Sequence, residues 1–272
     1  MKDKILILGK GFVGSRLQEA LDCEISDKRI FSYEDAESAI LKFRPATIIN
    51  CIGYVGSNVD ECEKNINNTL VSNTFIPLIL AEVALRNKLR LVHISSGCIY
   101  HYDYAKDAPV DEIIPPDFLD LFYSRTKIYS DQSLAFLSKK YPVLIARIRV
   151  PLDNKPHPRN ILTKLINYKK VIDIPNSITY MPDFINALKH LIEISAVGIY
   201  NIVNKNPLRY PELMEIYKKY IPDFRYEILD YKKMNAVRTN LILSTEKLEK
   251  SGFKIRDIHE VLEECVKEYI KY

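Results

Sequence analysis

The first 150 residues alternate short apolar runs with longer amphipathic segments, and this alternation constrains the fold more than any other feature. Residues 5–8 and 90–94 have the length of buried strands, whereas 69–86 and 123–140 have the length and apolar spacing of helices. Strands that alternate with helices build βαβ units, whose right-handed crossovers wind a parallel sheet with helices on both faces. The sequence therefore predicts an α/β fold with a doubly wound, Rossmann-type parallel sheet.

The alternating pattern loosens after residue 150. Pro151, Pro156 and Pro158 lie close together there, and clustered prolines interrupt regular elements. Shorter, mixed helical and strand patterns follow. We therefore predict a nucleotide-binding Rossmann region over residues 1–150. Residues 151–272 are expected to form a smaller C-terminal lobe that mainly binds substrate at the carboxyl edge of the sheet, where doubly wound folds bind ligands.

Composition excludes several classes of protein. The net charge is +4 with no dense Lys/Arg cluster, so we expect no nucleic-acid partner. The five cysteines are scattered without CxxC spacing, which is typical of a reducing compartment without disulfides or a metal site. Apolar runs stay short of the roughly 20 residues of a membrane span, and the first residues lack a signal-peptide pattern. We expect a cytoplasmic protein with no membrane partner and, from base rates, a homodimer.

A glycine-rich loop follows the first predicted strand and precedes the first predicted helix. It fits the pattern G-x-G-x-x-G and consists of Gly9, Lys10, Gly11, Phe12, Val13 and Gly14. Glycines at this junction permit a tight turn and let the backbone approach a pyrophosphate at the helix N-terminus. The loop therefore predicts a dinucleotide cofactor.

The residues after the second strand indicate which dinucleotide binds. Ser26, Asp27, Lys28 and Arg29 follow the end of this strand, near Ile25. An acidic residue here favours NAD through the ribose hydroxyls, whereas an arginine favours the 2′-phosphate of NADP. The Lys28 and Arg29 cations and the Ser26 hydroxyl favour a phosphate more than the single Asp27 carboxylate disfavours it. We therefore predict NADPH, bound in part by Ser26 and Arg29, with NADH as the alternative.

Tyr123 and Lys127 lie one turn apart at the start of a predicted helix, and Ser96 follows a predicted strand. An ammonium beside a phenol favours the phenolate, which suits tyrosine to proton transfer. Together with the glycine loop, this trio resembles the short-chain dehydrogenase/reductase superfamily. The resemblance implies that Ser96 and Tyr123 bind a substrate carbonyl, with Tyr123 as the proton donor, and that Lys127 orients the nicotinamide ribose.

The same resemblance extends to the turn after the predicted strand at 47–51. Asn50 opens a turn that matches a cofactor-binding loop of that superfamily, and the cofactor-binding positions it implies are Cys51, Ile52 and Gly53. Asn73 stands where the superfamily often has a structural asparagine.

Longer strings narrow the resemblance. They are NVDECE (58–63), SGCIY (96–100), FYSRTK (122–127), RIRVP (147–151), PRNILTK (158–164) and IPNS (174–177). In this order they resemble the UDP-rhamnose-forming 3,5-epimerase/4-reductases of plants and giant viruses, relatives of the bacterial dTDP-4-dehydrorhamnose reductases. The chain departs from that family in two respects. One residue rather than two separates Gly9 from Gly11, and the segment between Cys98 and Tyr123 is shorter than in the plant enzymes.

The closer resemblance implies an acid/base pair, Cys98 and Lys164. A 4-keto sugar has acidic protons at carbons 3 and 5, because removing either gives an enolate. A thiol and a lysine whose pKa is lowered by burial can each exchange protons near neutral pH. The implied reaction converts UDP-4-keto-6-deoxy-D-glucose to UDP-L-rhamnose by 3,5-epimerisation and NADPH-dependent 4-keto reduction. The predicted substrate-binding residues are Asp60, Arg159, Asn160, Asn176, Arg238 and Asn240.

Three other functions remain open from the sequence. The first is 3-epimerisation and 4-reduction of a UDP-2-acetamido-4-keto-2,6-dideoxyhexose. The second is reduction alone, although a pure 4-keto-sugar-nucleotide reductase has no use for Cys98 and Lys164. The third is a non-catalytic nucleotide-binding regulatory subunit, in which Ser96, Tyr123 and Lys127 have no reason to occur together.

Overall fold

Strands and helices alternate through the computed structural model, which describes residues 4–21, 23–231 and 237–272. The strands are β1 Ile5–Leu8, β2 Glu24–Ser26, β3 Thr47–Asn50, β4 Arg90–Ser96, β5 Val143–Ile148, β6 Pro151–Leu152, β7 Lys170–Ile172, β8 Thr179–Tyr180, β9 Gly198–Asn201 and β10 Glu227–Leu229. The helices are α1 Phe12–Leu21, α2 Tyr33–Phe43, α3 Asp60–Lys64, α4 Ile66–Leu70, α5 Ile76–Arg86, α6 Phe122–Leu137, α7 Ile161–Tyr168, α8 Met181–Glu193, α9 Tyr210–Tyr220, α10 Glu246–Lys250 and α11 Ile258–Tyr269. A π-helical turn, Val71–Phe75, joins α4 to α5.

The main sheet has six strands in the order β2-β1-β3-β4-β5-β9. β1 pairs in parallel with both β2 and β3, and β3 pairs in parallel with β4. The chain runs outward from β1 to β2 and then crosses back to β3, so the strand order reverses between β1 and β3. Ligands of doubly wound sheets bind at this switch point, beyond the carboxyl ends of the strands. The predicted α/β fold with a Rossmann-type parallel sheet is confirmed.

Strands of the sheet and the helices packed on it contribute to an apolar core. The central strands are buried on both faces, which explains why they read as continuous apolar runs such as Ile5–Leu8. Leu80, Ala81 and Ala84 of α5 pack into the same core, and α5 contacts β3 and β4. Each fully buried leucine or isoleucine contributes about 1.5–3 kcal/mol relative to an exposed one.

The segment Ile66–Arg86 comprises α4, the π-helical turn and α5, and it is long and apolar enough to span a membrane by length and composition alone. The apolar runs predicted from the sequence are shorter than a membrane span, and half of the apolar window in this segment is buried inside the protein. A core helix of a soluble protein has these same properties. The absence of a membrane partner stays a prediction.

The chain forms two compact units. The first contains the described residues of Met1–Ile99, together with Pro116–Arg147 and Lys189–Tyr200. The second contains Tyr100–Pro115, Ile148–Leu188 and the described residues of Asn201–Tyr272. The division of cofactor and substrate binding at residue 150 stays a prediction.

The second unit has its own core. Residues from α7, α9 and α11 form it, among them Leu165, Leu213 and Val261. Two short parallel pairs, β6 with β8 and β7 with β10, accompany these helices. The sequence did not predict these four strands, because two or three residues are too few to display a strand period.

Candidate active site

The glycine loop has the shape that a dinucleotide needs. Gly9 has φ +105°, and a Cβ atom there would lie 2.7 Å from the carbonyl carbon of Cys51. A Cβ on Gly14 would lie 2.0 Å from the Gly9 oxygen, whereas one on Gly11 would meet nothing within 4 Å. The outer glycines therefore permit close packing, and the space at Gly11 stays open beside the N-terminus of α1. These residues fit a pyrophosphate.

The loop after β3 lies against this glycine turn. The Cys51 N–H donates to the Leu8 oxygen at 2.8 Å, and the Ile52 N–H donates to Asn50 Oδ1 at 2.9 Å. A Cβ on Gly9 would also lie 2.7 Å from the Ile52 nitrogen. The structure thus brings the predicted cofactor-binding residues Cys51 and Ile52 next to the glycine turn. Of the other loop residues, Lys10 is exposed, Phe12 is buried and Val13 is half-buried.

Ser26 is the last residue of β2, which neighbours β1 in the sheet. Its Oγ accepts from the Lys28 N–H at 3.2 Å, and Arg29 is exposed. Lys28 lies 3.5 Å from Asp35 Oδ1, so part of its charge is compensated within the protein. Two exposed cations at the end of the second strand are suited to a phosphate on the adenosine ribose.

Asn73 connects the loop after β3 to α6. It is fully buried in the π-helical turn, and π segments often occur at functional sites. Its Oδ1 accepts from the Tyr54 N–H at 2.8 Å, and its Nδ2 donates to the Tyr54 oxygen at 2.9 Å and to Thr126 Oγ1 at 3.3 Å. Two hydrogen bonds therefore join Asn73 to the loop and one joins it to α6, so Asn73 links the loop to that helix.

Lys127 lies in a space that a glycine keeps open. Its side chain is only 5 % exposed, and a Cβ on Gly53 would lie 3.3 Å from Lys127 Nζ and 3.4 Å from Asn73 Oδ1. Burial lowers the pKa of Lys127, and the Asp131 carboxylate opposes that shift. Tyr123 is half-buried one turn earlier on α6. The predicted Tyr123 and Lys127 therefore share one helix beside the predicted Gly53.

Cys98 is held by hydrogen bonds on both sides of its backbone. Its N–H donates to Ser96 Oγ at 3.1 Å, and its carbonyl accepts from Ser124 Oγ at 2.6 Å. The residue is half-buried, and its thiol is among the groups whose charge acts on Lys127. Since Ser96 Oγ accepts from an N–H, its own proton stays available for a substrate oxygen. The structure therefore brings together Ser96, Cys98 and Lys127.

His93 is a residue to which sequence reasoning assigned no role. It is fully buried and stands opposite Asn50 in the β3–β4 ladder, with Asn50 Nδ2 3.0 Å from His93 Nδ1. Asn50 Oδ1 accepts from the Ile52 N–H, so the Asn50 amide nitrogen faces the ring and His93 Nδ1 accepts. Burial, reinforced by the Lys127 charge, holds the pKa of His93 well below its usual range. Only the strand register could have revealed this pair.

In the second unit, Asn160 caps α7, the helix that carries Lys164. Asn160 Oδ1 accepts from the Leu162 N–H at 3.1 Å, and its Nδ2 donates to the Asp153 oxygen at 2.7 Å. Lys164 is half-buried one turn later, and burial and the Arg159 cation both lower its pKa. Asn160 thus has a structural role here, and its contact with substrate stays a prediction.

A second group of predicted residues surrounds the buried Arg149. Asn176 Oδ1 accepts from Arg149 Nε at 3.1 Å, and Asn176 Nδ2 donates to Asn240 Oδ1 at 2.9 Å. Arg149 Nη1 also donates to Thr239 Oγ1 at 3.0 Å. Asn176 and Asn240 are therefore brought together, whereas sequence reasoning missed Arg149 and Thr239. Arg149 lies within the string RIRVP (147–151), but its polar neighbours come from other stretches of the chain and cannot be read from that string.

The remaining predicted residues lie elsewhere. Arg238 is half-buried, and its Nη1 donates to the Val237 oxygen at 2.7 Å. Asp60 is exposed at the start of α3 in the first unit, where its N–H donates to Asn58 Oδ1 at 2.9 Å. Cys98 belongs to the first unit and Lys164 to the second, so their action as a pair stays a prediction.

Comparisons with known proteins agree with this geometry. The chain is 30% identical over 264 residues to a trifunctional UDP-glucose 4,6-dehydratase/UDP-4-keto-6-deoxy-D-glucose 3,5-epimerase/UDP-4-keto-L-rhamnose-reductase of Arabidopsis thaliana. This match covers 91% of the chain and 39% of the plant protein, so the chain spans about two fifths of the length of that relative. It is also 29% identical to the Arabidopsis thaliana bifunctional dTDP-4-dehydrorhamnose 3,5-epimerase/reductase, covering 94% of the chain and 90% of that protein.

Two solved structures share the fold. The UDP-rhamnose synthase of Acanthamoeba polyphaga mimivirus superposes with a TM-score of 0.90 at 24% identity, covering 98% of this chain and 99% of that chain. The dTDP-4-dehydrorhamnose reductase of Bacillus anthracis, solved in complex with NADP, gives a TM-score of 0.85 at 23% identity, covering 98% and 99%.

A family profile also matches residues 5–170, more than half of the chain. The relatives are epimerases and reductases of sugar nucleotides, which confirms the predicted resemblance. The predictions of an enzyme and of a nicotinamide dinucleotide cofactor are confirmed as well. The chain belongs to the NAD dependent epimerase/dehydratase family.

Proposed function

We propose that the protein is a bifunctional sugar-nucleotide epimerase/reductase that converts UDP-4-keto-6-deoxy-D-glucose to UDP-L-rhamnose with NADPH. One observation carries the proposal: Ser96 and Ser124 hold the backbone of the half-buried Cys98, whose thiol acts electrostatically on Lys127. Reduction of a ketone needs the serine, the tyrosine and the lysine but no thiol. A cysteine fixed within that set is what proton exchange on the same substrate requires.

In the epimerase half, the chain's residues move protons at carbons 3 and 5. Both carbons neighbour the carbon 4 ketone, directly on either side, so loss of either proton places negative charge on the carbonyl oxygen. The Ser96 hydroxyl donates to that oxygen as the charge develops. Inversion needs a base on one face of the ring and an acid on the other. We assign these two roles to Cys98 and Lys164, whose lowered pKa brings its neutral form closer to physiological pH.

In the reductase half, the same carbonyl oxygen takes up a proton. The glycine loop would hold NADPH, which would supply the hydride for carbon 4. Tyr123 donates the proton to the oxygen, and the Lys127 ammonium stabilises the phenolate that remains. The exposed Arg29 and the Ser26 hydroxyl are proposed to bind the 2′-phosphate that distinguishes NADPH from NADH.

The test uses purified protein, UDP-4-keto-6-deoxyglucose and NADPH in deuterated water. We expect NADPH absorbance to fall and NMR to show UDP-rhamnose with deuterium at carbons 3 and 5. Reduction without deuterium would identify a pure reductase and remove the roles of Cys98 and Lys164. Deuterium at carbon 3 alone would leave a 3-epimerase/4-reductase.

Substrate identity is tested in parallel. One Arabidopsis thaliana relative bears a dTDP name, so the dTDP-linked keto sugar is offered beside the UDP-linked one, together with the 2-acetamido analogue. We expect the highest kcat/KM with the UDP-linked 2-hydroxy sugar. No turnover with any of the three would contradict an enzymatic role on keto-sugar nucleotides.

A further inference from the structure

A buried carboxylate joins three elements of the first unit, and the proposed reaction has not used it. Asp131 of α6 is fully buried. One of its oxygens accepts from Ser95 Oγ of β4, and the other accepts from Arg147 Nε of β5 at 2.7 Å. Ser95 and Arg147 are themselves almost fully buried. Carboxylates are seldom buried this completely, and a buried ion pair is weak support for stability alone. This network therefore calls for a role besides stability.

Asp131 continues the line of functional residues along α6. Lys127 follows Tyr123 by four residues and Asp131 follows Lys127 by four, so the three side chains lie along one face of the helix. The line places a phenol, a cation and an anion in sequence. Asp131, the third residue of this line, also accepts a hydrogen bond from Ser95, the residue immediately before Ser96. The Ser96 Oγ in turn accepts from the Cys98 N–H.

Asp131 is the carboxylate among the titratable groups that act on Lys127. The other groups that act on the lysine belong to separate elements: Cys62 of α3, Cys51 after β3, His93 of β4 and Cys98 after β4. Thiols are much weaker acids than a carboxyl group, and a neutral imidazole carries no negative charge. Near neutral pH, the negative charge that favours the Lys127 ammonium therefore comes from Asp131.

We propose that Asp131 is a positioning residue that keeps Lys127 in its ammonium form and, through Ser95, fixes the strand end that carries Ser96. Arg147 holds the carboxylate in place by its ion pair. The inference rests on the proposed function, because the ammonium matters only if Lys127 assists the reduction step.

The first test is D131N, which keeps the size of the side chain and removes its charge. Without the carboxylate, Lys127 loses its proton at a lower pH. The alkaline limb of the kcat/KM profile for NADPH oxidation should therefore move down by about one pH unit. D131E restores the charge and should return the limb toward its original position. An unchanged limb in D131N would overturn the proposal.

A matched control separates this role from a structural one. Asp183 is a buried carboxylate of the second unit, paired with Arg256 Nη2 at 2.6 Å and accepting from Asn204 Nδ2 at 2.6 Å. D183N also removes the charge of a buried carboxylate paired with an arginine, although Arg256 is partly exposed, and should lower thermal stability. It should leave the alkaline limb in place, and a shift equal to that of D131N would contradict a specific role for Asp131.

A readout that needs no turnover distinguishes failure of this inference from failure of the proposed function. The pKa of Lys127 is measured by NMR on protein labelled at the lysine ε-carbon, with K127R to assign the signal. A lower pKa in D131N supports the inference even if the wild type fails to reduce any keto sugar, and an equal pKa overturns it.

S95A provides a second variant in case D131N does not fold. This change removes one contact to Asp131 and leaves the charge and the ion pair intact. We expect kcat for reduction to fall several-fold with no movement of the alkaline limb. An unchanged kcat in S95A would show that the Ser95 bond positions nothing.

Discussion

Two lysines, one in each unit, show how neighbouring charges suit the same residue type to different roles. Burial lowers the pKa of both Lys127 and Lys164. Lys127 has the Asp131 carboxylate beside it, which favours the ammonium, whereas Lys164 has the Arg159 cation, which disfavours it. The first environment suits a fixed positive charge beside a tyrosine, and the second suits a base that gains and loses a proton. Residue type alone gives neither role.

The largest effect should come from removing the fixed charge. Lys127→Met should lower kcat/KM for NADPH-dependent reduction by about 10³–10⁴-fold, because the phenolate of Tyr123 loses its counter-charge. Deuterium exchange at carbons 3 and 5 should persist, since that step is assigned to Cys98 and Lys164. NADPH absorbance and NMR measure the two steps in one sample. Lys140→Met, at an exposed position of the same unit, is the control and should change neither step.

A smaller loss should follow from removing the proposed base. Lys164→Met should slow deuterium exchange by about 10²–10³-fold, while reduction of already epimerised UDP-4-keto-L-rhamnose stays within a few-fold of wild type. Lys170→Met, exposed in the same unit, is the matched control. If Lys164→Met and Lys127→Met damaged both steps equally, the comparison between the two lysines would be broken.

Cofactor binding should depend on the first unit's glycine loop. A Cβ at Gly11 meets nothing within 4 Å, so Gly11→Ala should fold normally yet weaken NADPH binding about tenfold, which corresponds to about 1.4 kcal/mol. Gly14→Ala places a Cβ 2.0 Å from the Gly9 oxygen and should instead lower the free energy of unfolding by about 1–3 kcal/mol. Fluorescence titration and urea unfolding distinguish these outcomes. An unaltered NADPH affinity in Gly11→Ala would contradict the assigned pyrophosphate position.

The smallest effect concerns the pH dependence of proton exchange. Arg159 lowers the pKa of Lys164, so Arg159→Gln should raise it, and the neutral amine should form only at higher pH. The acidic limb of the exchange rate should therefore move upward by a few tenths of a pH unit. Exchange measured by NMR across pH tests this, with exposed Arg225→Gln as the control. A downward shift would show that Arg159 does not act on Lys164 in the way described.

Local patterns were enough to predict much of the first unit. The strand predicted at residues 5–8 coincides with β1, because a strand buried on both faces appears as an uninterrupted apolar run. The helix predicted from residue 123 begins at Phe122 and places Tyr123 and Lys127 one turn apart. The glycine loop was equally predictable from the sequence. The positive φ of Gly9 and the close approach of the Gly9 oxygen to Gly14 both require residues without a Cβ.

Contacts between distant residues could not be predicted. The Asn50–His93 pair depends on the register of two strands, and the bonds from Asp131 to Ser95 and Arg147 join three elements. No periodicity in one segment reveals a partner in another. In the second unit, the role of Arg149 could not be predicted for the same reason, because its polar neighbours come from separate stretches of chain.

The most direct test of the account is deuterium incorporation by Tyr123→Phe. The variant is incubated with UDP-4-keto-6-deoxyglucose and NADPH in deuterated water, and the recovered sugar nucleotide is examined by NMR. The account predicts that NADPH is not consumed while deuterium still appears at carbons 3 and 5 of the keto sugar, because Cys98 and Lys164 remain intact. Loss of deuterium uptake together with reduction would show that Tyr123 serves both steps and would contradict the division of labour proposed for this enzyme.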